Sequence, residues 1–152
     1  MQKTADDDAT PARLRGKPSW LMTRTAMYAS RLVSEGLAAA DARGYHYRLL
    51  AALEEFGPAS QAALGRRSGI DRSDVVATVN ELADGGLVER ARDPEDRRRN
   101  IITITPAGVQ QLRRLDGVLA GIQDELLAPL SADERDELAR LLRQVLDHHA
   151  RG

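Results

Sequence analysis

The chain has 152 residues, 42% of them hydrophobic and 30% charged, with 22 Lys+Arg against 23 Asp+Glu for a net charge of −1. That hydrophobic share suffices for one core, and with aromatics at 3% the core must be aliphatic, which favours helices. The absence of cysteine excludes disulfides, thiolate chemistry and cysteine-bound metal. No run approaches the ~20 apolar residues of a membrane span, and the N-terminal MQKTADDDATPARLRGKPS lacks an apolar signal core, so a cytoplasmic protein is expected.

Residues 1–18 are polar, interrupted by Pro11, Gly16 and Pro18, and read as a tail. A helix is predicted from Ser19 to Arg43, its apolar face marked by Trp20, Met27, Leu32, Val33 and Ala38 and its end by Gly44. A second helix, Tyr45 to Phe56, carries Leu49, Leu50 and Leu53 at core spacing and stops at Gly57-Pro58. Ser60 is a good N-cap for a short helix through Arg67, because its hydroxyl can accept from backbone N–H groups that lack helical partners. Ser68-Gly69 then turns the chain. Asp71 is expected to cap the next helix, with Asp74 in its first turn near the positive helix end. Val75, Val79 and Leu82, joined by Val76 and Ala83, form its expected inward stripe, and Gly85-Gly86 supplies a left-handed stop.

Leu87 to Arg92 reads as a strand, Asp93-Pro94-Glu95-Asp96 as a bend, and Ile101 to Thr105 as a returning strand. Thr105-Pro106 opens a long helix in which Leu112, Leu115, Leu119, Ile122 and Leu126 recur at spacings of 3 and 4, a heptad seam that seeks a partner. Ser131 to Glu134 is a capping box for a last helix, with Leu138, Leu141, Leu142, Val145 and Leu146 facing inward.

Helix, turn, helix and two-stranded arginine-rich hairpin together make a winged helix, mainly α with a small β-hairpin wing. In such a unit one helix fits the DNA major groove and the hairpin reaches the minor groove. The net charge argues against a nucleic-acid partner. Its distribution argues for one: the acids gather at Asp6 to Asp8 and between Asp124 and Glu137, while Arg66, Arg67, Arg72, Arg90, Arg92, Arg97, Arg98 and Arg99 fall in the reading unit. Arg72, Ser73, Ala77, Thr78 and Asn80 lie on or near the exposed face of the reading helix, where Arg72 could fork onto guanine or a phosphate and Asn80 onto adenine or a phosphate. Ser60 and Gln61, opening the supporting helix, suit backbone phosphate. Arg97, Arg98 and Arg99 sit where a narrow minor groove concentrates negative potential.

The segment DRSDVVATVNELADGGLVERARDPEDRRRNIITITPAG resembles the MarR family of bacterial transcriptional regulators. The resemblance rests on Asp71-Arg72-Ser73, Gly85-Gly86-Leu87-Val88, Asp93-Pro94-Glu95-Asp96-Arg97-Arg98 and the Thr103-x-Thr105-Pro106-x-Gly108 exit. It implies a homodimer whose apex is built from residues 19–44 and 106–150, carrying winged lobes of residues 45–105 onto a near-palindromic double-stranded operator. It further implies Arg97 as minor-groove finger, Arg98 as phosphate contact and Asp96 as the acid that orients one of them by a salt bridge. Asp74 departs from the small hydroxyl residue of many relatives. Family members commonly respond to small aromatic or phenolic acids between apex and lobe; the matching positions here are Trp20, Met27, Tyr28, Arg31, Tyr45, His46, Tyr47 and Arg48.

No Walker loop, nucleophile elbow or zinc-protease motif is present, so neither catalysis nor a cofactor is expected. Adjacent His148 and His149 point about 100° apart on a helix and make a poor chelate. Two readings remain at this level: a ligand-responsive repressor, or a winged-helix dimer that serves as a protein-interaction scaffold with weak or no DNA binding.

Overall fold

The computed structural model describes residues 9–152. The expected tail therefore lies, for residues 1–8, outside the described residues. Beyond them Ala12–Arg15 forms a single helical turn (α1), and Pro18, read as tail, is instead the first residue of helix α2, Pro18–Ala39. Proline fits that position because its missing N–H would have had no helical partner.

The end of α2 departs from expectation. It stops at Ala39 rather than Arg43, and Gly44 opens the next helix, α3 (Gly44–Phe56), instead of breaking the previous one. The turn is made at Asp41, whose φ of 55° is left-handed. Its N–H donates to the Ala38 carbonyl at 3.0 Å and the Ala42 N–H to Leu37 at 2.9 Å, a Schellman closure with aspartate in the place glycine usually takes. Ala40 and Ala42, buried to 6% and 4% exposure on either side, hold that conformation.

After α3 come a two-residue strand β1 (Ala59–Ser60), helix α4 (Gln61–Ser68), the reading helix α5 (Arg72–Asp84), strands β2 (Val88–Arg92) and β3 (Asn100–Ile104), and helices α6 (Pro106–Leu126) and α7 (Ala132–Ala150). Strand β1 was not legible in the sequence. It pairs antiparallel with β3 (Ala59 to Ile102, Ser60 to Ile101), giving a three-stranded sheet of order β1-β3-β2. The arginines Arg97 to Arg99 belong to the loop between β2 and β3.

Two cores follow. The lobe core gathers Leu49, Leu50 and Leu53, Leu64, Ile70, the Val75–Val79–Leu82 stripe, Val88 and Ile102, and takes in Leu112 from α6. A second cluster joins Leu37, Ala40 and Ala42 to Leu115, with Val33, Val118 and Leu119 against it. Tyr47 packs on both. Helices α2 and α6 approach closely because Gly36 has no side chain: a Cβ there would lie 2.4 Å from Ile122 Cδ1.

The heptad seam is thus corrected. Leu112, Leu115 and Ile122 are buried within the chain, and Leu119 and Leu126 are half-buried. The apolar residues of α7, read as inward, face out: Leu141, Leu142 and Val145 are each 45% exposed and Leu146 66%, with Leu138 half-buried. Arg135 ties the first turn of α7 to Asp124 of α6 at 2.7 Å and to the Leu130 carbonyl of the connecting turn at 3.2 Å. No helix among the described residues is long and apolar enough to cross a membrane.

The reading helix, the hairpin and α6 meet at one joint. Gly86 (φ 72°) lets the chain leave α5, with Leu87 N–H donating to Leu82 at 2.9 Å. The Thr105 hydroxyl donates to the Gly86 carbonyl at 2.7 Å while accepting the Gly108 N–H at 3.0 Å. Gly108 is buried, and a Cβ there would stand 2.1 Å from the Leu87 carbonyl oxygen. Gly108→Ala should therefore lower stability by about 1–3 kcal/mol, since backbone rather than a flexible side chain must give way; a urea melt of both proteins measures it.

Tyr47 ties α3 to α6 by donating its hydroxyl to Asp116 Oδ1 at 2.6 Å. That bond first, then burial and the carboxylate charge, raise the phenol pKa above 10.0. Because the folded value lies above the unfolded one, this stabilisation is full below pH 10 and is lost as pH rises through the folded value. Phenolate absorbance should show Tyr47 ionising late in the wild type, and Asp116→Ala should return it toward the ordinary value.

Candidate nucleic-acid interface

The reading helix begins at Arg72, with Asp71 at the N-cap position. Asp71 makes no side-chain cap bond, contrary to expectation. Arg72, Ser73, Ala77 and Asn80 are exposed, as the helical spacing requires. Thr78 is not: it is 1% exposed, and its hydroxyl donates to the Asp74 carbonyl one turn back at 2.7 Å. It lies among Val75, Val79 and Leu82, so its place is the core and it is withdrawn from the exposed set. Val76 moves the opposite way. Read as inward, it is 39% exposed, and at 100° per residue it falls between Arg72 and Asn80. It thus sets one apolar group in the middle of a polar face, the type of group that packs on a thymine methyl.

Asp74 is exposed in the first turn, as expected, and its carboxylate has no hydrogen-bond partner among the described residues. Asn80 is engaged: its Oδ1 accepts from Arg90 of β2, a tether between reading helix and hairpin that sequence reasoning missed. The two residues stand ten apart on different elements, and the turn at Gly85-Gly86 folds β2 back on the helix to bring them together.

Ser60 is buried, and its hydroxyl caps α4 by accepting the Ala63 N–H at 3.2 Å. Pairing of Ser60 with Ile101 places the start of α4 against the base of the wing. A cleft of about 390 Å³ results, lined by Ser60, Gln61 and Ala62 of β1 and α4, by Arg72 and Val75 of α5, and by Arg98, Arg99 and Asn100 of the wing. Five residues nominated separately in the sequence, Ser60, Gln61, Arg72, Arg98 and Arg99, therefore converge on one basic recess at two helix starts, a geometry suited to an anion. Arg97 lies outside that lining, exposed on the loop. The guanidinium groups of Arg72, Arg97, Arg98 and Arg99 make no ion pair among the described residues.

The wing is shaped by its own acids. Asp93 Oδ1 accepts the Glu95 N–H at 2.9 Å, Asp96 Oδ1 accepts the Arg98 N–H at 3.1 Å, and the loop is closed by Asp93 N–H to the Arg99 carbonyl at 2.9 Å. Asp96 thus orients the arginines through the backbone, not by the expected side-chain salt bridge, because an Asx turn takes its carboxylate first.

The eight residues nominated for a ligand do not share one pocket. On α2, the Arg24 guanidinium lies 5.9 Å from the Trp20 ring and that of Arg31 lies 5.4 Å from Tyr28. Cavities beside Met27 and Arg31 are lined by α2 residues alone. On α3, Arg48 stacks 5.9 Å from exposed Tyr45, while Tyr47 bonds Asp116 and His46 bonds Glu81 of the reading helix. Arg43 joins the same Glu81 carboxylate through a guanidinium nitrogen that reaches both oxygens. Thirty-eight residues separate Arg43 from Glu81, and no local pattern announces the pair.

Comparison with known proteins agrees with this geometry. Residues 36–99 match the MarR family profile. The chain is 40% identical over 86 residues to a Thauera aromatica protein assigned to regulation of the hcr operon, covering 57% of this chain and 52% of that one. It is 33% identical over 98 residues to the HTH-type transcriptional repressor NicR of Pseudomonas putida, covering 64% and 62%. The matched stretch thus spans between half and two thirds of either relative. The PcaV transcriptional regulator of Streptomyces coelicolor, solved in complex with its natural ligand, superposes with a TM-score of 0.71 at 32% identity, covering 91% of this chain and 97% of that one. With a winged lobe of this topology, the family profile over its centre and PcaV matched over nearly its whole length, the chain belongs to the MarR family.

Proposed function

We propose that the protein is a sequence-specific regulator of transcription that binds double-stranded DNA as a homodimer and represses in a ligand-responsive way. The observation that carries this reading is the basic cleft, in which Gln61, Arg72, Arg98 and Arg99 converge without competing acids. A backbone phosphate would seat there, leaving Ser73, Val76, Ala77 and Asn80 toward base edges and Arg97 for the minor groove. The relatives named above as regulators and a repressor support it.

Arg97→Ala should cost about 1–3 kcal/mol of binding and reduce the salt slope by about 1. Fluorescence anisotropy on DNA upstream of its own gene, at several salt concentrations, measures both. Absence of salt-dependent binding there and on random DNA at low salt would sink the reading in favour of an interaction scaffold.

The homodimer reading is supported by the outward apolar face of α7 and by Leu14, Leu21 and Met22 near the start of α2, all at least 40% exposed. Residues 19–44 and 106–150 would supply the apex and residues 45–105 the reading lobes, two-fold symmetry calling for a near-palindromic operator. Light scattering should give twice the chain mass for the wild type and a lower mass for Leu142→Glu at equal helicity. For the effector, the stacked Trp20, Arg24, Tyr28 and Arg31 on α2 suit a small aromatic acid, whose ring and carboxylate meet an aromatic face and a guanidinium. Release of labelled DNA by simple phenolic acids in the same assay is the expected sign.

A further inference from the structure

The corner between α2 and α3 carries an unusual density of polar ties for eight residues. The Ala40 carbonyl accepts from Arg114 of α6 at 3.4 Å, and Tyr47 donates to Asp116 of α6 at 2.6 Å. Between them, Arg43 and His46 both grip Glu81 of the reading helix. The segment leaving α2 is therefore bonded to α6 on one side and to α5 on the other.

Glu81 sits between Ala77 and Thr78 on the helical wheel, at the border of the exposed face and the core stripe. Arg43 supplies a charge-assisted contact in which one guanidinium nitrogen reaches both carboxylate oxygens. His46 adds direction. Its Nδ1 accepts the Arg43 N–H at 3.2 Å, so the ring proton resides on Nε2, which stands 2.6 Å from Glu81 Oε2 and donates to it. The ring is thus held in one orientation by bonds at both nitrogens. The His46 bond first, and Arg43 after it, keep the Glu81 carboxyl below the usual carboxylate range.

The geometry points to Arg43, His46 and Glu81 as a clamp that sets the tilt of the reading helix against the α2–α6 frame: they are positioning residues for DNA recognition, not DNA contacts. The inference rests on the DNA-binding reading above. An Arg–carboxylate pair this exposed adds little to global stability. Its effect is local, on one helix at one corner, where a shift in α2 can be passed to α5 directly.

The test turns on a sign. Removing a carboxylate from a DNA-facing lobe would by charge alone tighten binding to a polyanion. The clamp requires the reverse: Glu81→Ala should bind operator about three- to tenfold more weakly with an unchanged salt slope. His46→Ala should weaken binding comparably, and the double variant should be no weaker than either single one. Glu81→Gln, which keeps an acceptor for both partners, should recover most of the affinity. In DNA-free protein, nitrogen NMR should show the Nε2–H tautomer of His46 with its Nε2 hydrogen-bonded, that bond being lost in Glu81→Ala, and His46→Ala should speed amide exchange in α5 more than in α6. Equal or tighter binding by Glu81→Ala, or additive losses, would overturn the proposal. Should the wild type bind no DNA, the functional reading fails by itself. The tautomer and the exchange pattern still decide the clamp, which unchanged exchange in α5 would refute.

Discussion

Everything that faces outward from the lobe depends on how closely two stretches of backbone meet between Gly86-Leu87 and Thr105-Gly108. The reading helix ends there, the wing starts and finishes there, and α6 begins there. One threonine hydroxyl serves two of these elements, donating to Gly86 and capping α6 at Gly108. The approach leaves no room for a Cβ at Gly108 and needs a left-handed residue at Gly86. Two short glycine-containing motifs about twenty residues apart are thus halves of one joint, which explains physically why both carry the family resemblance.

A second constraint governs how the lobe is carried. Leu112 sits in the lobe core while Leu115, one turn on, belongs to the α2–α6 cluster, so α6 is rooted in both. Tyr47 bridges the same two cores from α3. The lobe is therefore not strung on a linker. Its attitude is set by side chains at the α2–α3 corner, where the left-handed Asp41 turn brings Arg43 to the reading helix.

The charge distribution has a simple physical sense. A net charge of −1 gives no general attraction to a polyanion, so affinity must come from local concentration. The short β1–β3 pairing draws Ser60 and Gln61 against the wing arginines, and the Asx turn at Asp96 commits its carboxylate to backbone, leaving the guanidinium groups of Arg97, Arg98 and Arg99 without an ion pair among the described residues.

The order of the six longer helices and of the two hairpin strands, the left-handed stop at Gly86, the caps at Ser60, Thr105 and Ser131 and the exposed arginines of the wing are legible in the sequence, because periodicity, capping and glycine chemistry act over a few residues. What periodicity could not decide is which of two apolar or near-apolar neighbours faces in: Val76 and Thr78 exchange their expected places, and the heptad seam splits between an intrachain core at Leu112, Leu115 and Ile122 and an outward face on α7. The α2 terminus was misplaced because glycine is the usual left-handed residue, yet buried Ala40 and Ala42 hold Asp41 in that conformation. The convergence of Gln61, Arg72 and Arg98, the Asn80–Arg90 tether and the Arg43–His46–Glu81 clamp were decided by tertiary structure alone. Each joins residues on different elements, and such contacts depend on the relative placement of whole elements, which short-range sequence preference does not encode.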